Sequence, residues 1–258
     1  MTSRSSRLSS RRPLRSHFAQ AGVDILQGSA NLEGSTPAQS WLWRAIYGVV
    51  AFLVILLAVM LWFVIARPVQ VLPRITQSPA FILTDQDGRW LSDSDLRGSI
   101  LLINFSSTSC GDRCDAMERN MLAVRDLLRA DGRLGVEVRL ITISIDADDT
   151  PPALRAYAER IGSAPPEWHY LTGAASELKQ LIGGEYGGYY NLAGPAIELD
   201  QRAVLIDAQG VLRAQYDGAQ LDSAIVLRDI GLIQQEANSS DAQRPIYEAA
   251  HLFVCYPQ

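Results

Sequence analysis

ILLINFSSTSCGDRCD, residues 100–115, is the stretch on which the reading of this chain turns. Residues 100–105 form an apolar run of strand length, the pattern of a strand buried on both faces. Helical spacing follows over 112–130, with Met117, Met121, Val124 and Leu127–Leu128 apolar. Cys110 and Cys114 therefore fall where a strand gives way to a helix, the place where α/β sheets carry their chemistry. A thiol there is drawn toward thiolate by unpaired backbone N–H groups and the helix dipole.

Two cysteines four apart on a regular helix hold their Cβ atoms about 5–6 Å apart, whereas a disulfide needs about 3.8 Å. The spacing thus places Cys110 at or before the helix start and Cys114 inside the first turn. Such a pair either closes with a small adjustment or stays open and holds a soft metal, for which Cu(I) is the best match to two thiolates.

Outward from this stretch the elements alternate. A hairpin is expected over residues 81–84 and 89–91, turning on Asp87-Gly88. A second buried strand covers 136–145, and Thr150 caps a helix that starts at Pro151 and runs to about Ile161. Then come a short strand at 168–171, a helix at 174–181, a hairpin of 203–206 with 211–215 around Asp207–Gly210, and a last helix at 221–232. Strands alternating with helices and closing on an antiparallel hairpin predict an α/β fold: a mixed central sheet with helices on both faces.

The chain has 258 residues, 23 Lys+Arg, 28 Asp+Glu, a net charge of −5 and three Cys. This excludes a disulfide-dense scaffold and argues against a nucleic-acid binder, which is basic or carries a basic stripe. The charge is unevenly spread. Residues 45–66, AIYGVVAFLVILLAVMLWFVIA, carry none; as a helix they reach roughly 33 Å, enough for a hydrocarbon core of about 30 Å. Arg44 and Arg67 bracket the run, and Trp41, Trp43 and Trp62 lie near its ends. Before it, six Arg oppose Asp24 and Glu33, a net of +4; residues 67–258 carry −9. We expect a basic, disordered cytoplasmic tail (1–44), an uncleaved transmembrane anchor (45–66), a linker (67–77), one exported domain (78–235) and a C-terminal extension (236–258).

The cysteine context resembles the Sco/SenC family of membrane-anchored, thioredoxin-fold, copper-binding proteins of cytochrome c oxidase biogenesis. The family pattern is a strand ending in Asn/Tyr-Phe, then C-P-D-x-C-P; here the chain reads Asn104-Phe105, four residues, Cys110-Gly111-Asp112-Arg113-Cys114-Asp115. The family's S-I-D-P-x-x-D-T-P is similar to Ser144-Ile145-Asp146-Ala147-Asp148-Asp149-Thr150-Pro151, one residue shorter. LRAYAERIG (154–162), Trp168 and Leu171–Gly173 are also similar. Two departures stand out. Gly111 and Asp115 replace the flanking prolines. The family's copper site is two Cys and a His about eleven residues before the hairpin Gly; counted back from Gly210, that place is held by Leu199.

The resemblance implies a periplasmic domain on the inner membrane, with the oxidase's copper-binding subunit or its assembly factors as partners. Without the His, it implies a thiol–disulfide reductant of partner cysteines, Cys110 attacking and Cys114 resolving, with Asp112 and Arg113 tuning the thiolates. The alternatives are a Cu(I) metallochaperone with a third ligand, a general thiol–disulfide oxidoreductase unrelated to the oxidase, and a scaffold without thiol chemistry. His169 and His251 are candidate third ligands, Cys255 a candidate third thiol. Met117 and Met121 share a helical face that also suits core packing. The Tyr/Gly-rich residues 183–195 form a candidate loop near the site.

Overall fold

The computed structural model describes residues 37–66, 70–111, 114–192, 198–218, 221–241 and 243–253. The chain divides into two units, Met1–Phe63 and Val64–Gln258. Residues 1–36 of the expected tail and 67–69 of the linker lie outside the described residues.

α1 spans Pro37–Ala66, most of it in the first unit. It starts before residue 45 because Pro37 suits the first helical turn and nothing between it and Arg44 breaks a helix. The 22 residues Trp41–Trp62 have a mean hydropathy of 2.7, long and apolar enough to cross a membrane, and their side chains are exposed all round.

The second unit is built on one eight-stranded sheet. Its strands are β1 (Thr76–Gln77), β2 (Ile82–Asp85), β3 (Trp90–Ser92), β4 (Ile100–Ser106), β5 (Val138–Ser144), β6 (Trp168–Thr172), and, after the two short strands β7 (Tyr190–Asn191) and β8 (Glu198–Leu199), β9 (Arg202–Ile206) and β10 (Val211–Asp217). The order is β1-β10-β9-β4-β5-β6-β2-β3, while β7 and β8 pair separately. β4, β5 and β6 are parallel; β9 runs antiparallel to β4, and β10 to β9. The sheet is mixed, as the alternation of elements predicts.

β4 lies at the centre and is buried along its whole length. Alternate residues feed two separate layers. Ile100 and Leu102 pack with Met117, Met121, Leu154, Trp168 and Val226, beneath α2 (Asp115–Ala130), α3 (Pro151–Arg160) and α5 (Ser223–Ala237). Leu101, Ile103 and Phe105 pack on the other face with Leu96, Leu178, Leu181, Ile182 and Tyr186. Each such side chain contributes about 1.5–3 kcal/mol by leaving water, so Ile103→Ala costs about 2–5 kcal/mol.

Several boundaries differ from the sequence pattern. α2 begins at Asp115, with Cys114 as its N-cap, rather than at 112; the Cys114 amide turns back onto the Gly111 carbonyl just before it. β5 begins at Val138, after a turn over 135–137. The helix expected at 174–181 is α4 (Ala175–Leu178), which widens to π-type turns over Lys179–Glu185, where Gly183 and Gly184 weaken the regular ladder. α6 (Arg244–Phe253) follows α5.

Candidate functional site

The parallel strands β4 and β5 end side by side, Ser106 opposite Ser144. Beyond Ser106 the chain turns: the Cys110 amide donates to the Ser107 carbonyl at 3.2 Å, and the Cys114 amide to the Gly111 carbonyl at 3.0 Å. Cys114 is the N-cap of α2, and the Glu118 amide returns to its carbonyl at 2.9 Å. The two sulfurs are joined as a disulfide, with Cα atoms 5.7 Å apart. Both cysteines are buried.

Gly111 explains how a four-residue spacing closes. Its φ is +59°, a left-handed conformation that glycine adopts at no steric cost and that proline, fixed near −65°, does not reach. The backbone turns there, so Cys110 stands outside the helix and Cys114 at its N-cap.

A buried carboxylate holds this turn from below. Asp149, 5% exposed, accepts from the Thr108 amide at 2.9 Å, from the Thr108 hydroxyl, and from the Ser144 hydroxyl at 2.6 Å. Thr142, deeper between the same strands, donates to Asn104 at 2.6 Å and accepts from the Trp168 indole at 2.9 Å. On the far side of the mouth, Arg202 Nη1 donates to the carbonyls of Tyr186 and Gly187 at 3.2 and 3.4 Å. The Tyr186 ring packs 5.6 Å from that of Phe105, and its hydroxyl, 2.9 Å from Ser78 Oγ, is pushed up to about 12 by burial. The Tyr/Gly-rich stretch is thus partly structural, Tyr186 being a core residue; residues 193–197 lie outside the described residues.

The other candidate residues are dispersed. Leu199, on β8, is half-buried and packs against the layer containing Phe105 and Tyr186. Met117 and Met121 are fully buried in the opposite layer. His169 is buried on β6 opposite Ile141, which pairs with Ile103. That is three residues short of Ser106 and two strands across, roughly 10 Å in each direction. Burial holds its imidazole below the ordinary range, with Asp85, Arg139 and Asp87 as its charged surroundings.

His251 lies at the other end of the sheet, its Nε2 2.9 Å from Glu236 near the end of α5. Glu236 also binds Arg213 at 2.6 Å and Arg74 at 2.6 Å. Burial alone raises its pKa, but the Arg213 and His251 hydrogen bonds and the Arg213 charge take it down to about 2. Arg213 in turn binds Asp207 at 3.0 Å and the carbonyls of Pro73 and Leu72.

Asp112, Arg113 and Cys255 lie outside the described residues. Among the described residues no group of three or more His, Cys, Asp and Glu is placed to hold a metal ion. The donor set at the mouth is two sulfurs. Once reduced, they fit a linear Cu(I) site; they do not make the three-ligand site of two Cys and a His. The sequence signal for Asp149 is a carboxylate just ahead of Thr150-Pro151, where α3 starts.

The SCO1/SenC family model matches residues 72–233. The SCO1 protein homolog of Bacillus subtilis (strain 168) is 30% identical over 103 residues, 39% of this chain and 52% of that protein. The chain spans about half the length of curated relatives such as this one. Among solved structures, BsSco, described as a member of the Sco family of cytochrome c oxidase assembly proteins with a disulfide switch, superposes with a TM-score of 0.57 at 22% identity, over 64% of this chain and 98% of that one. The copper-bound ScoI of Arabidopsis thaliana gives 0.53 at 22%, over 61% and 98%. At these identities the structures speak for the fold, in agreement with the thioredoxin-like expectation.

Proposed function

The chain belongs to the SCO1/SenC family, and from that premise we propose that it is a membrane-anchored periplasmic thiol–disulfide reductant in the assembly of the cytochrome c oxidase copper centre. The observation that carries the reading is the composition of the mouth. Cys110 and Cys114 form a disulfide at a strand-to-helix junction, Leu199 packs in an apolar layer, and both described outer-side histidines are remote from the pair.

In the proposed step the Cys110 thiolate attacks a sulfur of the partner's disulfide, and one partner cysteine leaves as thiolate. The Cys114 thiolate then attacks the Cys110 sulfur, closing the intramolecular disulfide and releasing the second partner cysteine. Two electrons pass to the partner, whose thiolates take up the protons given off by the pair. A dithiol donor must reduce the pair again before the next cycle. Cys110 is assigned as the attacking sulfur, and Cys114, at the N-cap where the helix amides favour thiolate, as the resolving one. Asp112 and Arg113 tune the thiolates. Partners are the oxidase's copper-binding subunit or its assembly factors.

The orientation follows from charge: the arginine-rich tail stays in the cytoplasm, α1 spans the inner membrane, and the acidic domain lies in the periplasm. A second reading, a Cu(I) metallochaperone, is favoured by the two sulfurs themselves and by the copper bound to the Arabidopsis neighbour. Anaerobic Cu(I) titration of the reduced chain separates the two. Rapid reduction of a partner-derived disulfide peptide without competition against a moderate Cu(I) chelator supports the reductant. One-to-one binding lost in Cys110→Ser, with no disulfide reduction, overturns it in favour of the carrier.

A further inference from the structure

A buried side chain from another element, Asp149, ties the disulfide turn to the rest of the domain. Residues 107–110 form a tight turn, closed by the Cys110 amide on the Ser107 carbonyl and by the Ser107 and Ser109 hydroxyls at 2.9 Å. Among the described residues, the side chain that reaches it from another element is Asp149, 41 residues on, which takes both the amide and the hydroxyl of Thr108. The same carboxylate takes the hydroxyl of Ser144 at the end of β5. From its place just ahead of α3, its three acceptor contacts therefore reach the turn and the strand beside it. A carboxylate this deeply buried is costly unless every contact is made, so its position, and that of Thr108, is firmly specified.

We propose that Asp149 is the positioning residue of the cysteine pair, fixing Thr108 and through it the place of the Cys110 sulfur relative to Cys114. The inference deepens the reductant reading and rests on it for its functional meaning. It acts by two physical routes with one sign. Holding the turn keeps the sulfurs at a high effective concentration, which favours the disulfide. A fixed negative charge beneath the turn disfavours thiolate, which again favours the disulfide. Loss of Asp149 therefore makes the pair easier to keep reduced and a weaker reductant.

The test is a double-variant cycle on the full-length chain in detergent, with Asp149→Asn, Thr108→Val and the two combined. The dithiol–disulfide equilibrium is read in dithiothreitol redox buffers. Each single change is expected to lower the equilibrium fraction of disulfide by about tenfold in the equilibrium constant, and the double variant to fall little below Asp149→Asn, because both cut the same link. Equilibrium constants within twofold of wild type, even alongside a lowered melting temperature, overturn the proposal, since they leave Asp149 a stabilising residue only. Multiplying effects in the double variant overturn it as well. The rate with oxidised glutathione is measured in parallel: a wild-type chain that fails to reduce it ends the reductant reading, while the cycle still decides whether Asp149 positions the sulfurs.

Discussion

Gly111 accepts the Cys114 amide at 3.0 Å while standing at φ +59° between the two cysteines. A Cβ at Gly111 meets nothing within 4 Å, so the restriction on this position is one of backbone and not of space. Gly111→Ala is expected to cost about 1–2 kcal/mol, the left-handed penalty alone. Gly111→Pro costs more, because its ring fixes the opposite sign of φ. Chemical denaturation checks both, and an alanine variant as stable as the parent removes this account of the turn.

Cys114→Ser and Cys110→Ser are expected to behave unequally. With Cys110 attacking, the reduced Cys114→Ser chain accumulates a mixed disulfide with a partner-derived peptide, since no second sulfur resolves it. The Cys110→Ser chain accumulates at least about tenfold less. Intact-mass spectrometry reads the adducts; trapping by Cys110→Ser in preference reverses the assignment of roles.

Leu199→His tests whether the absent imidazole is what separates this chain from copper-holding relatives. The variant is expected to take up Cu(II) at one equivalent, visible as a thiolate-to-copper absorption band that wild type lacks. Exchanging a half-buried leucine for histidine costs about 1–2 kcal/mol of stability. If the variant binds no Cu(II), Leu199 does not face the sulfurs.

Glu236 makes the far end of the domain sensitive to acid. Its folded pKa of about 2 lies below the usual carboxylate range, so its contribution is fully present above about pH 4.5 and is lost as pH falls toward 2. Glu236→Gln is expected to lower stability by roughly 2–3 kcal/mol at pH 7, with the gap to wild type closing through that window. Urea melts at pH 7, 4 and 3 read the gap, and a pH-independent difference contradicts the assignment.

The parts of the fold legible in sequence are those in which local pattern and tertiary demand coincide. Residues 100–105 are apolar nearly throughout because both faces of β4 are covered, and Thr150-Pro151 announces α3 because proline in the first turn is a local signal, although the Thr150 side chain makes no capping hydrogen bond. α6 was missed because its Arg-Pro start resembles a break and its apolar residues acquire meaning only when packed; Ala250 is fully buried. β1 has two residues and exists because Thr76 and Gln77 meet Leu212 and Val211, a register that no short window contains. At the site, the cysteines were visible as a pattern, whereas the Asp149 contacts join positions 41 apart.

The cluster around Arg213 has a consequence for leverage. It grips the carbonyls of Leu72 and Pro73 at the beginning of β10, so residues 72–73 are fastened at one pole of the domain, while the sulfurs occupy the other. The length of β4, roughly 20 Å, separates the poles. Force entering the domain at Leu72 and Pro73 is therefore resisted by guanidinium and carboxylate before any strain travels along the strands to the reactive tip.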